Sequence, residues 1–429
     1  MTLTTTVALL ASASIAGNPD CEPNWDTAVG GLFTSGDVAK FTSFDTGAGP
    51  ELYATGSFAS GGVNRIARWD GSQWQPLGSG LSNQYGNDLV EYQGDLYVGG
   101  YFDSAGGAAD SAKIARWDPD TQTWFGLGAQ QSLFLNSVWS LKTWDDGNGE
   151  ALYIGGNYVD MGGAGGPDFI TRWDGTSFSE VGGTIGGIGV ALIVLDIEVF
   201  QGDLYIGGRF TEVGGVAASH IARWDGTQWH DVGGGITGTQ VIDMAVADDG
   251  SGPALFVGGS FTAAGGVPAT RLAKWDGATW SALPGGADST VQGIAGFDDG
   301  SGEKVFIVGN FNNVDGQPAP RIARWDGFSL EPVGAGADAN CFAVFPFNGR
   351  LNIGGSFTMM DNLPSGRAIQ LLDCGASNPA DLNGDGVVNS ADLGDLLGQW
   401  GQPGSADFDN DGTVGPADLA TLLGSWTTN

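Results

Sequence analysis

LYIGGRF at Leu204–Phe210, IARWDG at Ile221–Gly226 and WHDVG at Trp229–Gly233 make one copy of a repeated unit. The first segment recurs as LYATGSF, LYVGGYF, LYIGGNY, LFVGGSF, VFIVGNF and LNIGGSF, beginning at residues 52, 96, 152, 255, 305 and 351. The period is near fifty residues. An IARWDG-like segment places Trp at 69, 117, 173, 224, 275 and 325, and a W..LG-like segment such as Trp74–Gly78 follows it. Short apolar and aromatic runs between Gly-Gly and Asp-Gly turns read as antiparallel strands, four to a unit. A four-stranded repeat of ~50 residues is a propeller blade. The expected fold class is all-β, a seven-bladed β-propeller of four-stranded blades over residues 21–374.

The order of strand, Gly-Gly, loop, strand, turn, Trp and Leu-Gly resembles the kelch family across almost the whole of this region, although its WDG turn is not the usual kelch wording. One unit lacks its WDG strand, and the missing pieces lie at the two ends of the region. WDTAVG at Trp25–Gly30 has W..LG spacing with no unit of its own, and RAIQLLD at Arg367–Asp373 sits where the last WDG strand belongs. The N-terminal strand is therefore expected to close the last blade, which leaves no free sheet edge. Aligning Asp373 with Asp225 and Trp25 with Trp229 sets Cys21 beside Cys374, so a disulfide between them is expected. Closing a loop of about 350 residues gives on the order of 4–5 kcal/mol in the chain-entropy account. Cys341, inside the apolar run CFAVF, reads as a buried free thiol.

The chain has 429 residues with 76 Gly, a formal net charge of −33 and 15% charged residues. That balance repels phosphate backbones and anionic membrane surfaces, which disfavours nucleic acid as a partner. Thr6–Ala16 is a run of apolar and small residues without a basic leader; residues 1–16 are expected to be a secretory signal, with an ordinary chain end as the alternative. The product is then extracellular or associated with the cell surface, with no insertion into the membrane.

Ten of the 16 basic residues are locked to the repeat: Arg68, Arg116, Arg172, Arg223, Lys274 and Arg324 before the Trp, and Arg65, Lys113, Arg271 and Arg321 three earlier. Residues fixed by the repeat read as architecture, pairing with carboxylates or carbonyls of neighbouring blades. The motif Trp residues read as packing for the same reason. Trp139 and Trp144 fall outside the motif and are the better candidates for a carbohydrate contact. The turns at Asp145, Asp248 and Asp298 look like small metal loops, but other units carry plain tight turns there, so they read as turns. A kelch-like copper oxidase needs His and Tyr ligands, and the chain has only His220 and His230, both read as surface residues. No nucleophile triad, phosphate loop or dinucleotide fingerprint is present, whereas a carboxylate pair of the glycosidase type stays open.

After a linker at residues 375–380, one acidic motif is written twice, DLNGDGVVNSADLGDLLGQWG from Asp381 and DFDNDGTVGPADLATLLGSWT from Asp407. Side-chain oxygens fall at loop positions 1, 3, 5 and 12: Asp381, Asn383, Asp385 and Asp392, then Asp407, Asp409, Asp411 and Asp418. This spacing suits a hard cation, with carbonyls offered by Val387 and Thr413 at position 7 and Asn389 at position 9 of the first copy. Two calcium ions are expected. Leu393, Leu396, Leu397 and Trp400, and likewise Leu419, Leu422, Leu423 and Trp426, give each exit helix one apolar face. Loop plus exit helix, duplicated with no entry helix, resembles a type I dockerin over residues 381–429. The resemblance implies docking on a cohesin through loop positions 10 and 11. Those are Ser390 with Ala391 and Pro416 with Ala417, where the family commonly has a Ser/Thr pair.

Together these features lead to a secreted, non-catalytic recognition and attachment protein, whose propeller takes a glycan or protein and whose tail docks on a cohesin-like or cell-surface partner. The alternative is a propeller of the glycosyl hydrolase class, or an accessory of polysaccharide degradation, delivered by the tail. Carboxylates converging among the loops at Asp103–Ser111 and Thr211–Ser219 would favour that alternative.

Overall fold

The computed structural model describes residues 22–31, 33, 35–128, 136–158, 169–187, 191–299, 302–375, 380, 382, 388–408 and 412–426. They fall into two compact units, Pro23–Asp373 and a second formed by Met1–Glu22 with Cys374–Asn429. Residues 1–16 and Cys21 lie outside the described residues, and so does the side chain of Cys374, so the expected signal and disulfide fall there as well. Cys341 is a buried free thiol.

In the first unit each repeat folds as one antiparallel sheet. Ile193–Phe200 pairs with Asp203–Arg209, which pairs with Ile221–Trp224, which pairs with Trp229–Asp231. Glu22–Asp26 joins the edge of Ala368–Gly375 in the sheet that also holds Arg350–Gly355 and Cys341–Phe347, so the two ends of the unit share one sheet. The first strands of successive sheets touch in turn, and Cys341–Phe347 touches Val38–Asp45, which closes the ring.

The Gly-Gly signature has two separate causes. A Cβ on Gly207 would lie 2.5 Å from Cγ1 of Val241 in the next sheet, so the first Gly marks close approach between sheets. Where the repeat has Val308 instead, the residue at the Val241 position is the smaller Cys341; where it has Thr55, the facing residue is Gly86. Volume is thus conserved across the step. A Cβ on Gly208 would overlap the carbonyl oxygen of Ile193, because the first strand bulges there and its register shifts between Val194 and Asp196. The same shift recurs between Val38 and Lys40, Gly86 and Asp88, Val138 and Ser140, Val241 and Asp243, Val291 and Gly293, and Cys341 and Ala343.

The tryptophans account for much of the packing. Trp224 and Trp229 sit opposite one another with ring centroids 5.0 Å apart, and Trp229 Nε1 donates to Val181 O of the preceding sheet at 3.2 Å. Trp74, Trp124 and Trp280 make the equivalent bonds to Val29 O, Leu77 O and Val232 O. Each such ring buries ~150–250 Å², or about 4–6 kcal/mol at 25 cal/mol per Å².

The residue opening each third strand adopts a left-handed backbone: Arg65, Lys113, Phe169, His220, Arg271, Arg321 and Arg367 have φ between 62° and 81°. That conformation costs a non-Gly residue about 1–2 kcal/mol. Two backbone bonds hold it; at His220 they are His220 N to Phe210 O and Gly208 N to His220 O, each 3.0 Å. His220 is accordingly buried at 7% exposure, which corrects its reading as a surface residue.

In the second unit, α1 (Ser390–Gly398) and α2 (Pro416–Gly424) follow the two acidic loops. Their core is Ala380, Val388, Leu396, Ala406, Val414 and Leu422. The expected single apolar face is divided: Leu393 and Leu419 pack against this core, whereas Leu397, Trp400, Leu423 and Trp426 are 52, 43, 52 and 36% exposed.

Candidate functional site

The bulge in each first strand decides what lines the axis of the ring. A plain strand alternates its side chains between faces, but the extra residue turns two successive side chains the same way. One tier is therefore Ala39, Asn87, Trp139, Leu195, Ile242, Gln292 and Phe342, the residues skipped in the register, and all of them line one mouth of the channel. The next tier is Lys40, Asp88, Ser140, Asp196, Asp243, Gly293 and Ala343. Beyond it lie Thr42, Val90, Lys142, Glu198, Ala245, Ala295 and Phe345, with Lys142 Nζ 2.5 Å from Glu198 Oε1. The Trp139 mouth encloses about 370 Å³ and the opposite side about 700 Å³. Both cavities share Lys40, Asp88, Asp196, Asp243 and Phe342 in their walls, so the middle tier is the floor of each.

The polar residues of the middle tier join neighbouring sheets. Leu141 N donates to Asp88 Oδ2 at 2.7 Å, Ile197 N to Ser140 Oγ at 3.1 Å, Met244 N to Asp196 Oδ2 at 2.7 Å and Ile294 N to Asp243 Oδ2 at 2.7 Å. Each acceptor thus takes the N–H that follows its own equivalent in the next sheet. The second carboxylate oxygens accept as well: Asp88 Oδ1 from Leu89 N, Asp196 Oδ1 from Ser140 Oγ, and Asp243 Oδ1 from Lys40 Nζ at 3.3 Å. Lys40 enters from the far side of the ring, and 37% of its side chain stays open to the channel.

Three carboxylates around one ammonium leave this tier negative. Burial pushes the Asp88 carboxyl up against the pull of Lys40 and of the Leu141 and Leu89 N–H groups. Burial likewise lifts Asp243 to about 7, opposed by Lys40. For Lys40, burial alone would lower the value, but Asp243, Asp88 and Asp196 outweigh it and hold the ammonium above the usual lysine range. A raised carboxyl in a cavity is the usual mark of a catalytic acid. Here burial, with the charge of Asp196 nearby, accounts for it, and the N–H donors and Lys40 oppose it.

The loop carboxylates are also engaged locally. Asp103 accepts from Asn83 Nδ2 at 2.6 Å and Lys113 Nζ at 3.3 Å, and those bonds hold it below the usual carboxylate range. Asp338 accepts from Thr358 and Met359, which outweigh the burial that alone would raise it.

The structure separates the two tryptophans outside the motif. Trp139 stands in the channel mouth, partly exposed, with its Nε1 shielded and without a hydrogen-bond partner. Trp144 is a packing residue, 9% exposed, donating to Gly202 O and stacked on Tyr153 at 5.4 Å, so the carbohydrate reading fails for it. The basic residues before the motif Trp pair within their own sheets, as in Arg223 with Asp203, Arg68 with Glu51 and Arg116 with Asp95, not across to the next sheet as expected. The reason is that the arginine faces the second strand in register, Tyr205 opposite Arg223, which leaves the acid two residues away within reach. The earlier set does reach carbonyls, Arg65 to Leu81 O and Arg271 to Ala287 O. The turns at Asp145 and Asp248 are Asx turns, each Oδ1 accepting two glycine N–H groups. His230 Nε2 donates to Asp225 Oδ2 within its own turn at 2.7 Å.

In the tail, Asp381, Asn383, Asp385, Val387, Asp409 and Asp411 lie outside the described residues. Asp392 and Asp418 are 0 and 1% exposed and superimpose in role. Asp392 accepts from Leu382 N and Asn389 N, and Asp418 from Phe408 N and Gly415 N, each the second and ninth loop positions. Asp407 accepts from Gly412 N at 2.9 Å. Ser390, Ala391, Pro416 and Ala417 are exposed on the first turns of the helices.

Comparison with known proteins agrees on the fold. A family model described as a domain of unknown function (DUF5122) beta-propeller matches residues 304–325. The extracellular domain of BT4673 from B. thetaiotaomicron superposes with a TM-score of 0.52 at 10% identity, over 81% of this chain and 39% of that one. The WD40 beta propeller domain of Doa1 gives 0.48 at 13% identity, over 80% of this chain and 95% of that one. No curated protein matches the sequence. The chain is a β-propeller with a short helical tail.

Proposed function

We propose that this is a secreted, non-catalytic recognition and attachment protein. It has a kelch-like, seven-bladed propeller with an N-terminal strand completing the last blade, and a dockerin-like tail that folds around two calcium ions. The blade count is supported by the ring of first strands described above. The observation that carries the recognition reading is the state of the carboxylates. Those of the middle tier, and Asp103 and Asp338 among the loops, are held by N–H, hydroxyl or ammonium donors, while the channel mouth presents an aromatic ring and amides. A glycosidase needs one carboxyl free to protonate a leaving group and a second to act as nucleophile or base. A mouth of amides and one aromatic face is suited to holding a ligand in place.

The calcium reading is supported by charge. Asp392 and Asp418 are fully buried at the twelfth position of each loop, and residues 374–429 carry acidic side chains but no Lys, Arg or His. Buried carboxylates need a countercharge. Asp392, Asp407, Thr413 and Asp418 would contribute to holding the ions, together with the loop residues outside the described set; calcium, when bound, supplies the positive charge that lets both loops close. An extracellular setting, rich in calcium, agrees with the extracellular domain of similar fold, and among the described residues no helix is long and apolar enough to cross a membrane. Exposed Ser390, Ala391, Pro416 and Ala417 are where the tail would meet its partner.

The test uses the full chain in calcium and in chelator. Calcium is expected to increase helix signal in far-UV circular dichroism and to be required for retention on a cohesin or on cell surfaces. Identical helix content and retention in both conditions would overturn the attachment half. Turnover of polysaccharide by the full chain would overturn the non-catalytic half.

A further inference from the structure

The mouth around Trp139 has a more specific chemistry than recognition in general. We infer that it takes the end of a neutral glycan, one pyranose ring seated against Trp139; this rests on the recognition reading and names its ligand class. Three observations converge on it. The tier combines the flat face of Trp139 and the apolar sides of Leu195, Ile242 and Phe342 with the amides of Asn87 and Gln292, and a sugar ring needs that combination of a stacking face and mixed donors and acceptors. Trp139 is partly exposed in this mouth whereas its Nε1 is shielded, so the ring and not the N–H is what a ligand meets.

The floor then selects the charge of the ligand. Asp88, Asp196 and Asp243 outnumber Lys40 and would repel an anion. A neutral group rich in hydroxyls suits such a floor, since its O–H groups donate to carboxylate lone pairs. The size agrees, since about 370 Å³ lies at the lower end of small-molecule sites, ~300–1,000 Å³. The Lys40–Asp243 link spans the tier beneath, so a chain enters end-on instead of threading through.

The experiment is calorimetric titration of the full chain with methyl glycosides of neutral hexoses and with neutral disaccharides, alongside a uronic acid, inorganic phosphate and a set of peptides. At least one neutral sugar should bind, with affinity reduced about tenfold or more in Trp139→Ala, largely restored in Trp139→Phe and reduced several-fold in Gln292→Ala. Phe328→Ala, at an exposed turn, should change nothing. Near-UV circular dichroism identifies any variant that fails to fold, in which case Gln292→Ala carries the decision. Unchanged sugar affinity in folded Trp139→Ala would overturn the site. Binding of peptide, uronic acid or phosphate without neutral sugar would overturn the ligand class and leave recognition standing; binding of none would overturn both.

Discussion

Replacing Asp196 by Ala and by Asn separates an architectural role for the channel carboxylates from a role held in reserve for chemistry. Asp196 is 7% exposed, and its Oδ2 accepts from Met244 N at 2.7 Å. Alanine strands that N–H beneath a residue 3% exposed, which costs about 1–3 kcal/mol. Both substitutions also remove a charge that repels Asp88 and Asp243 but attracts Lys40, opposing effects each on the order of 1 kcal/mol at an effective dielectric of ~20. Asparagine keeps an acceptor for Met244 N while these charge effects offset, so it should be near neutral. Alanine should fall about 1–3 kcal/mol below asparagine, and that gap isolates the bond between sheets. Gly293 and Ala343 occupy the same tier with no side-chain acceptor, so the loss should leave the fold intact. Urea unfolding followed by tryptophan fluorescence, at a pH near 8, above the value of about 7 for Asp243, measures the gap. If alanine and asparagine agree within about 0.5 kcal/mol, or if both stabilise strongly, the carboxylates are not holding the ring and the non-catalytic reading loses its main support.

Asp243, lifted to about 7 against an unfolded value near 4, binds a proton more readily in the folded chain; between those values stability therefore falls as pH rises. The wild-type thermal midpoint should drop between about pH 5 and pH 7 relative to Asp243→Asn, and parallel curves would contradict the shift. Gly207→Ala drives a methyl group to within 2.5 Å of Val241 Cγ1, and should cost about 1–3 kcal/mol, partly recovered by adding Val241→Ala; additive losses in the double mutant would show that the two do not meet. Asp418→Ala strands Phe408 N and Gly415 N and removes a ligand of the second loop, so calcium titration of the full chain should lose one of its two binding events; two intact events would remove Asp418 from the ligand set.

The repeat was legible because its causes are local and recur. Gly208 has a counterpart in every sheet, Gly207 in all but those with Thr55 and Val308, and the pairing of Trp224 with Trp229 recurs as Trp69 with Trp74, Trp117 with Trp124 and Trp275 with Trp280, so they leave a period in the sequence. Trp25 and Arg367 marked the two halves of the shared sheet for the same reason. The exchanges at Thr55 and Gly86, and at Val308 and Cys341, follow from the residue that faces each across the step between sheets, which the repeat alone does not reveal. The left-handed residues were opaque, since Arg, Lys, Phe and His all occupy that position and none advertises positive φ.

By itself the sequence determined the strands, their order, the joining of the ends and the two helices of the tail, all of which follow from short-range periodicity. Only the tertiary structure decided the channel. Lys40 and Asp243 lie 203 residues apart and meet because the ring closes. The unequal hairpins, QGD after Phe200 but DDGSG after Ala247, hid the alignment of Asp196 with Asp243. Trp139 and Trp144 could not be distinguished by alternation, because the bulge at Trp139 inserts a residue and changes which side chains face inward. Parity along a strand is readable from sequence only where the ladder is regular, and the residues that line the channel lie at its irregularity.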